Sequence, residues 1–290
     1  MANSLREVKG RIESTKKTAQ ITKAMYMVSQ SKVRKAEKTY KDYQSFMKSI
    51  SDMTASIVSK ASLEFKHELL VPRKINKTCY LIISSDKGLA GAYNTGLFKY
   101  FENIISEQGL KESDFMVTTI GKRAFNYVKK MKYENHQDNP TFVRDDVMFV
   151  DIVSIANDII KDYLDHKIDR LVIIYNHFIN SLSQEIETRT LLPIGEVEGE
   201  INNVEYIYES GIENTLNKIL PMYIQDIIYG IILDAKTAEH ASRVNSMRSA
   251  TDNATDVIDK LQVLYNRSRQ EAITNELNDI VGGSNAIGGK

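Results

Sequence analysis

Five histidines, one cysteine and one glycine-containing turn are where a 290-residue chain of this composition would hold a metal, a nucleophile or a cofactor. His67, His136, His166, His177 and His240 are scattered, and none stands in a ligand pair with Cys79 or with another histidine. No metal site is therefore expected, and no local spacing joins a nucleophile to a base. The segment Ser85-Asp86-Lys87-Gly88-Leu89-Ala90-Gly91-Ala92-Tyr93-Asn94 follows an apolar run and opens a helical pattern, a position that can bind phosphate. Yet neither Gly-x-Gly-x-x-Gly nor Gly-x-x-x-x-Gly-Lys-Ser/Thr occurs in the chain. A tight strand-to-helix turn is the better reading, with no cofactor and no active site.

Charge carries a stronger signal. The 38 basic and 38 acidic side chains cancel over the whole chain, but residues 1–41 hold eleven Lys and Arg against only Glu7, Glu13 and Glu37. Residues 211–281 hold seven basic and ten acidic side chains. A basic helical face can be simply solvated, can track nucleic-acid phosphates, or can bind an acidic protein surface. Exposed aromatics that stack on single strands are missing here, because the tyrosines fall on an apolar seam.

The elements that must carry these charges follow from periodicity and chain breakers. Pro72, Pro140, Pro193 and Pro221 are the only prolines, so the first 71 and last 69 residues can stay helical without a kink. Ser4 and Glu7 fit a capping box. From Leu5, alternating steps of three and four reach Val8, Ile12, Thr15, Ala19, Thr22, Tyr26, Ser29, Val33, Ala36, Tyr40, Tyr43, Met47, Ile50, Thr54, Ile57 and Ala61, a coiled-coil seam about 85 Å long. Ala238, Ala241, Val244, Met247, Thr251, Ala254, Ile258, Leu261, Tyr265, Ser268 and Ala272 form a matching seam. Pro221 suits that helix's first turn and Gly282-Gly283 its end. Two seams flanking a compact domain most simply pair antiparallel.

Between the arms, Thr78–Ser84, Phe115–Ile120 and Arg170–Tyr175 read as buried parallel strands. Helices are expected over Ala92–Ser106, over Lys122–Met131 and around Met148 to Tyr163. Gln184–Leu191 and Val204–Tyr208 alternate as antiparallel or edge strands would. The expected fold class is α/β plus coiled coil: residues 1–65 and 211–290 as long helices, and 75–210 as a central Rossmann-like α/β domain. The longest apolar run, Ile227 to Leu233, is far short of a membrane span. Residues 1–6 have no apolar h-region, so no secretory signal is expected. Cys79 has no internal disulfide partner.

Three motif blocks now make the layout specific. Ile21-Thr22-Lys23-Ala24-Met25-Tyr26-Met27-Val28-Ser29 with Ser31-Lys32-Val33-Arg34-Lys35 resembles the N-terminal signature of the gamma subunit of F-type ATP synthases. Ser84 to Asn94 resembles that family's Ser-x-Asp-Arg-Gly-Leu-Cys-Gly segment, with Lys87 for the Arg and Ala90 for the Cys. Glu239-His240-Ala241-Ser242-Arg243, Ala250-Thr251-Asp252-Asn253-Ala254, Leu264 to Gln270 and Ile273-Thr274-Asn275-Glu276-Leu277 form the third and longest match. Gly283-Ser284 departs from the usual Gly-Ala at the C-terminal end.

The resemblance implies a central stalk, not itself an enzyme. Its paired arms would stand inside a ring of alpha and beta subunits, with the central domain on the epsilon subunit and the c-ring. Nucleic acid is not an expected partner, and no membrane span is implied. It implies catalytic-ring contacts at Lys9, Arg11, Lys23, Met25, Lys32, Arg34, Lys35, Lys87 and Arg243. An upper contact cluster would comprise Arg269, Gln270, Thr274 and Glu276, and Tyr206 and Tyr208 would face the c-ring. The implied location is peripheral, on the cytoplasmic face of a bacterial inner membrane. A dinucleotide-binding enzyme built on the central domain and a nucleic-acid-binding coiled coil are the competing readings.

Overall fold

The computed structural model describes residues 2–61, 67–142, 144–195, 197, 199–200 and 211–288. In chain order its elements are α1 (Ala2–Ala61), β1 (Thr78–Ile83), α2 (Tyr93–Glu107), β2 (Phe115–Ile120), α3 (Lys122–Met131), α4 (Phe149–Leu164), β3 (Arg170–Phe178), β4 (Gln184–Leu192) and α5 (Ile212–Gly288). They form two compact units, Met1–Val28 with Val244–Lys290, and Ser29–Arg243.

In the first unit, the start of α1 and the later part of α5 meet along their seams. Val8 and Ile12 of α1 and Met247 and Ala254 of α5 are buried, whereas their flanking neighbours Lys9, Arg11, Glu13 and Arg248 are exposed. The hydroxyl of Thr251 donates to Thr22 Oγ1 at 2.8 Å. Small seam residues thus let the helices approach closely enough for a direct side-chain bond. α1 opens at Ala2, two residues ahead of the expected Ser4 cap.

In the second unit the two helices again run side by side and antiparallel. Lys32 and His240 share one carboxylate, Asp145, while Tyr43 donates to Asp226 at 2.9 Å and packs edge-on against Tyr229 at 4.8 Å. A Cβ on Gly230 would overlap Met47 Sδ, so the only glycine between Gly211 and Gly282 marks a close helix approach. Ala241 is 1% exposed at such a small-residue position. Ala241→Leu is expected to overpack it and to destabilise this unit by about 1–3 kcal/mol; urea unfolding measures the loss, and unchanged stability would put the seam register in error.

The sheet has the order β2-β1-β3-β4, with β1 parallel to both β2 and β3 and β4 antiparallel on β3. β1 and β2 are buried at every position, which is why they show no alternation of apolar and charged residues. Alternate residues serve two cores. Cys79, Leu81, Ile83, Leu171 and Ile173 face α4, the end of α1 and the start of α5. Tyr80, Ile82, Val117, Val172 and Ile174 face Leu97 and Phe101 of α2 and Ala124 and Val128 of α3. Cys79 is 1% exposed, and burial pushes its thiol up to about 12. It is expected to resist maleimide in the native protein and to react once urea exposes it, a comparison that a thiol titration makes directly.

Two expected boundaries of the last helix are corrected. α5 begins at Ile212, so Pro221 lies inside it, and it continues through Gly282 and Gly283 to Gly288. The early start is driven by packing: Leu216, Ile219 and Leu220 are buried in the main core, which offsets the hydrogen bond that Pro221 cannot donate. The expected strand Val204–Tyr208, with Tyr206 and Tyr208, lies outside the described residues. Among those described, no helix is long and apolar enough to cross a membrane.

Candidate functional site

β1 ends beside β2, and the chain must then reverse into α2. Ser84 donates its N–H to the Ile120 carbonyl at 2.8 Å, and its hydroxyl accepts the Ala124 N–H at 2.8 Å. Ser85 and Asn94 bind each other across the turn, through Ser85 N–H to Asn94 Oδ1 at 3.1 Å and Asn94 Nδ2 to Ser85 Oγ at 2.8 Å. Asp86 accepts the Lys122 N–H at 2.9 Å. Leu89 and Gly91, at φ of 62° and 56°, supply the left-handed residues that close the reversal. Ala90 is thereby buried beside Tyr93 and Ala238, while Lys87 and Leu89 project outward.

The polarity of this turn decides what it can bind. A phosphate cradle needs several backbone N–H groups converging on open space. Here Ser85 N–H is already taken, and carbonyl oxygens face α5: Ser242 donates to Ala90 O at 2.7 Å, and the Arg243 guanidinium reaches the carbonyls of Lys87 and Gly88 at 3.4 Å. The turn is strapped to α5 and leaves the Lys87 side chain free to meet a partner.

Beneath the strap lies a buried ionic cluster. Lys236, Glu239 and Arg243 fall on one face of α5, three and four residues apart. Glu239 accepts from Lys236 at 3.0 Å and from Arg243 at 2.7 Å, and all three side chains are nearly buried. Burial acts to raise the Glu239 pKa, but Lys236 and Arg243 outweigh it and hold the carboxyl below its ordinary range. Asp145 closes the cluster from the α3–α4 connection, at 2.6 Å from Lys32 of α1 and 3.2 Å from His240. Burial, reinforced by the neighbouring Lys236 and Arg243 cations, pushes the His240 imidazole down to about 4, so it is neutral at pH 7. Its neighbourhood is therefore an assembly device linking α1, α5 and the sheet connections.

The residues implied by resemblance separate into three groups. Lys32 and Arg243 belong to this cluster, with Lys87 on its strap; Arg34 and Lys35 are exposed on α1 in the same unit. In the other unit, Lys9, Arg11 and Lys23 are exposed and Met25 is half-buried, while Arg269, Gln270, Thr274 and Glu276 are exposed on α5. Arg11 pairs with Glu7 at 3.3 Å, and Thr274 donates to the Gln270 carbonyl at 2.9 Å. Tyr206 and Tyr208 are outside the described residues. Asp145, Lys236, Glu239 and His240 were missed as a set. The spacing of Lys236, Glu239 and Arg243 was a readable signal, but nothing local pointed to Asp145.

Among the described residues no group of three or more His, Cys, Asp or Glu side chains could hold a metal ion. Comparison with known proteins gives a consistent result. A family model described as ATP synthase matches residues 4–287. A chain from the Euglena gracilis mitochondrial ATP synthase, in an OSCP/F1/c-ring structure, is 18% identical at a TM-score of 0.68, covering 99% of this chain and 95% of that one. Another, from the rotor of the same organism's enzyme, is 16% identical at 0.63, covering 94% and 100%. A chain from the Tetrahymena thermophila mitochondrial ATP synthase central stalk and c-ring is 23% identical at 0.59, covering 79% and 99%. At these identities the structural likeness speaks for the fold, and the match to the family model speaks for descent.

Proposed function

This chain belongs to the ATP synthase gamma-subunit family, and on that premise we propose that it is the central rotary shaft of an F-type ATP synthase. Its role is mechanical and non-catalytic. Turning within a ring of alpha and beta subunits, it takes the catalytic sites through different conformations in succession and so couples ion flow to ATP synthesis or hydrolysis. The observation that carries this reading is the pair of unbroken helices, 60 and 77 residues long, joined along matched seams. A torque-bearing element must resist bending, and helices packed side by side along their seams within each unit supply that stiffness. The similar chains from Euglena and Tetrahymena, described in rotor and central-stalk assemblies, support the same role.

The finer assignments belong to the same proposal. Residues 1–65 and 211–290 act as the arms and 75–210 as the foot, which engages the epsilon subunit and the c-ring, with Tyr206 and Tyr208 facing the latter. Exposed Lys9, Arg11, Lys23, Arg34, Lys35 and Lys87 make exchangeable contacts with an acidic ring surface, since solvent-exposed ion pairs are individually weak. Arg269, Gln270, Thr274 and Glu276 form the upper contacts. Arg243 acts from inside the protein by holding the strap that presents Lys87, and Lys32, still partly exposed beside Asp145, adds to the ring-facing surface. The complex works at a membrane to which this subunit is peripheral, in a bacterial inner membrane on its cytoplasmic side.

Co-expression with alpha and beta subunits is the direct test. A complex that hydrolyses MgATP is expected, and no assembly would sink the proposal. Within such a complex, Met25→Lys adds a cation to an already basic stretch and is expected to tighten the contact and steepen the temperature dependence of turnover. Unchanged coupling together with unchanged temperature dependence would count against the placement of Met25 at the ring.

A further inference from the structure

A second cationic surface, on the sheet-containing part of the chain, has no assigned role. α3 and the residue after it, Lys122 to Lys132, carry Lys122, Arg123, Lys129, Lys130 and Lys132 and no carboxylate. The helix is sharply two-sided. Ala124 and Val128 are buried in the core against the sheet, whereas Lys122, Arg123, Asn126, Lys129 and Lys130 are exposed. Steps of three, four and seven put these exposed residues on one stripe, about 12 Å long.

We propose that this outer face of α3 is a docking surface for an acidic segment of another protein subunit. Among the described residues none of the five cations is in an ion pair, although other cations around the sheet are: Lys77 with Glu134, Lys167 with Asp162, and Arg73 with Asp169. Carboxylates on adjoining elements have other partners. Asp86 accepts the backbone N–H of Lys122, and Glu102 of α2 accepts from the Tyr127 hydroxyl at 2.9 Å. The stripe also runs against local helix energetics. Lys122 and Arg123 sit in the first turn, where the helix dipole favours anions, and Gly121 offers no side-chain cap. Lys129 and Lys130, in the last turn, suit the dipole, so the local fault lies at the first turn. Unpaired cations that break the local rule at the exposed start of the helix have a reason outside the fold, and a row of carboxylates relieves that fault while pairing the cations of the last turn.

The stripe continues onto the strap. Gly88 lies against the Arg123 guanidinium, where a Cβ would come within 2.7 Å of Nη2, so exposed Lys87 extends the same line. Its form selects the partner. It presents no exposed aromatic ring for stacking on bases. Most of its apolar side is spent on the core, leaving only Met131 and, on the strap, Leu89 exposed, and a narrow ridge fits a helix bearing carboxylates better than a plane of headgroups. The inference rests on the rotor reading only in taking the partner to be another subunit of the complex.

Carbodiimide coupling, which joins lysine amines to carboxylates in direct contact, tests it on the complex assembled with alpha, beta and epsilon subunits. The expected result is an amide link from Lys129 or Lys130 to an Asp or Glu of another subunit. Loss of acetylation at Lys122, Lys129 and Lys130 on assembly should accompany it, and the links should vanish in a Lys129→Gln/Lys130→Gln variant. Equal acetylation in the isolated chain and the complex overturns the proposal. So does protection that arises only with phosphatidylglycerol vesicles, which would make the partner a lipid surface. MgATP hydrolysis by the same preparation separates the two readings: an active complex with unprotected lysines removes the α3 surface alone, and no complex removes both.

Discussion

Gly121→Ala is expected to destabilise the sheet-containing unit by about 3–5 kcal/mol and to lower its urea midpoint by about 1 M or more. Gly121 connects β2 to α3 at φ 97°, a region that side-chain-bearing residues avoid. A Cβ there would also overlap the carbonyl group and hydroxyl of Ser84. Neither obstacle is a flexible side-chain tip. Relief would require separating the ends of β1 and β2, which breaks the Ser84-to-Ile120 bond at 2.8 Å and strains the Gly121-to-Thr141 bond at 2.8 Å. The strap that carries Lys87 begins at Ser84, so the variant should lose complex assembly along with stability. Gly88→Ala is the control: its new methyl meets only the mobile end of Arg123 and should be far milder. Unchanged urea midpoints for Gly121→Ala would show that the strap does not depend on this contact.

Glu239→Ala should cost about 3–5 kcal/mol, because it leaves the Lys236 and Arg243 charges buried with no carboxylate between them. The same cluster makes stability depend on pH. In the unfolded chain His240 takes up a proton near its ordinary pKa of about 6.5, whereas in the folded protein burial and the cations of Lys236 and Arg243 delay protonation to about 4, against the pull of Glu239 and Asp145. Between those values the unfolded state binds more protons, so stability falls as pH falls. The contribution is complete above about pH 6.5 and lost by about pH 4, and amounts to about 3 kcal/mol. Glu239 and Asp145, both held below their ordinary range, add to the acid loss at still lower pH. His177 acts in the opposite sense, since Asp234 and Glu187 raise its pKa although burial opposes them. The informative comparison is therefore between variant and parent: His240→Asn should flatten the slope of urea midpoint between pH 7 and 5. An identical slope in the two proteins would refute the assignment of that titration to His240.

Periodicity was legible because it is local. Every seam position of α1 from Leu5 to Ala61 is buried or half-buried, and Lys9, Arg11, Lys16, Lys17 and Lys23 beside it are exposed. Strands β1 and β2 were legible for a related reason: both of their faces are covered, so no polar alternation interrupts them. The ends of α5 were not legible. Pro221 and Gly282-Gly283 are start and stop signals worth a few kcal/mol at most, and burial of Leu216, Ile219 and Leu220 overrides the first.

Residue order alone therefore carried the helical arms, their seams, the sheet's strands and the concentration of positive charge, all of which arise from spacings of a few residues. It also carried membership of a family whose motifs lie at those spacings. Which charges are free to meet a partner was settled only in three dimensions. Lys32 and Lys87 look alike in the chain, yet one is held by Asp145, more than a hundred residues away, and the other points outward from a strap. Partner choice in an ion pair depends on which distant carboxylate the fold brings within about 4 Å, and no local period encodes that distance.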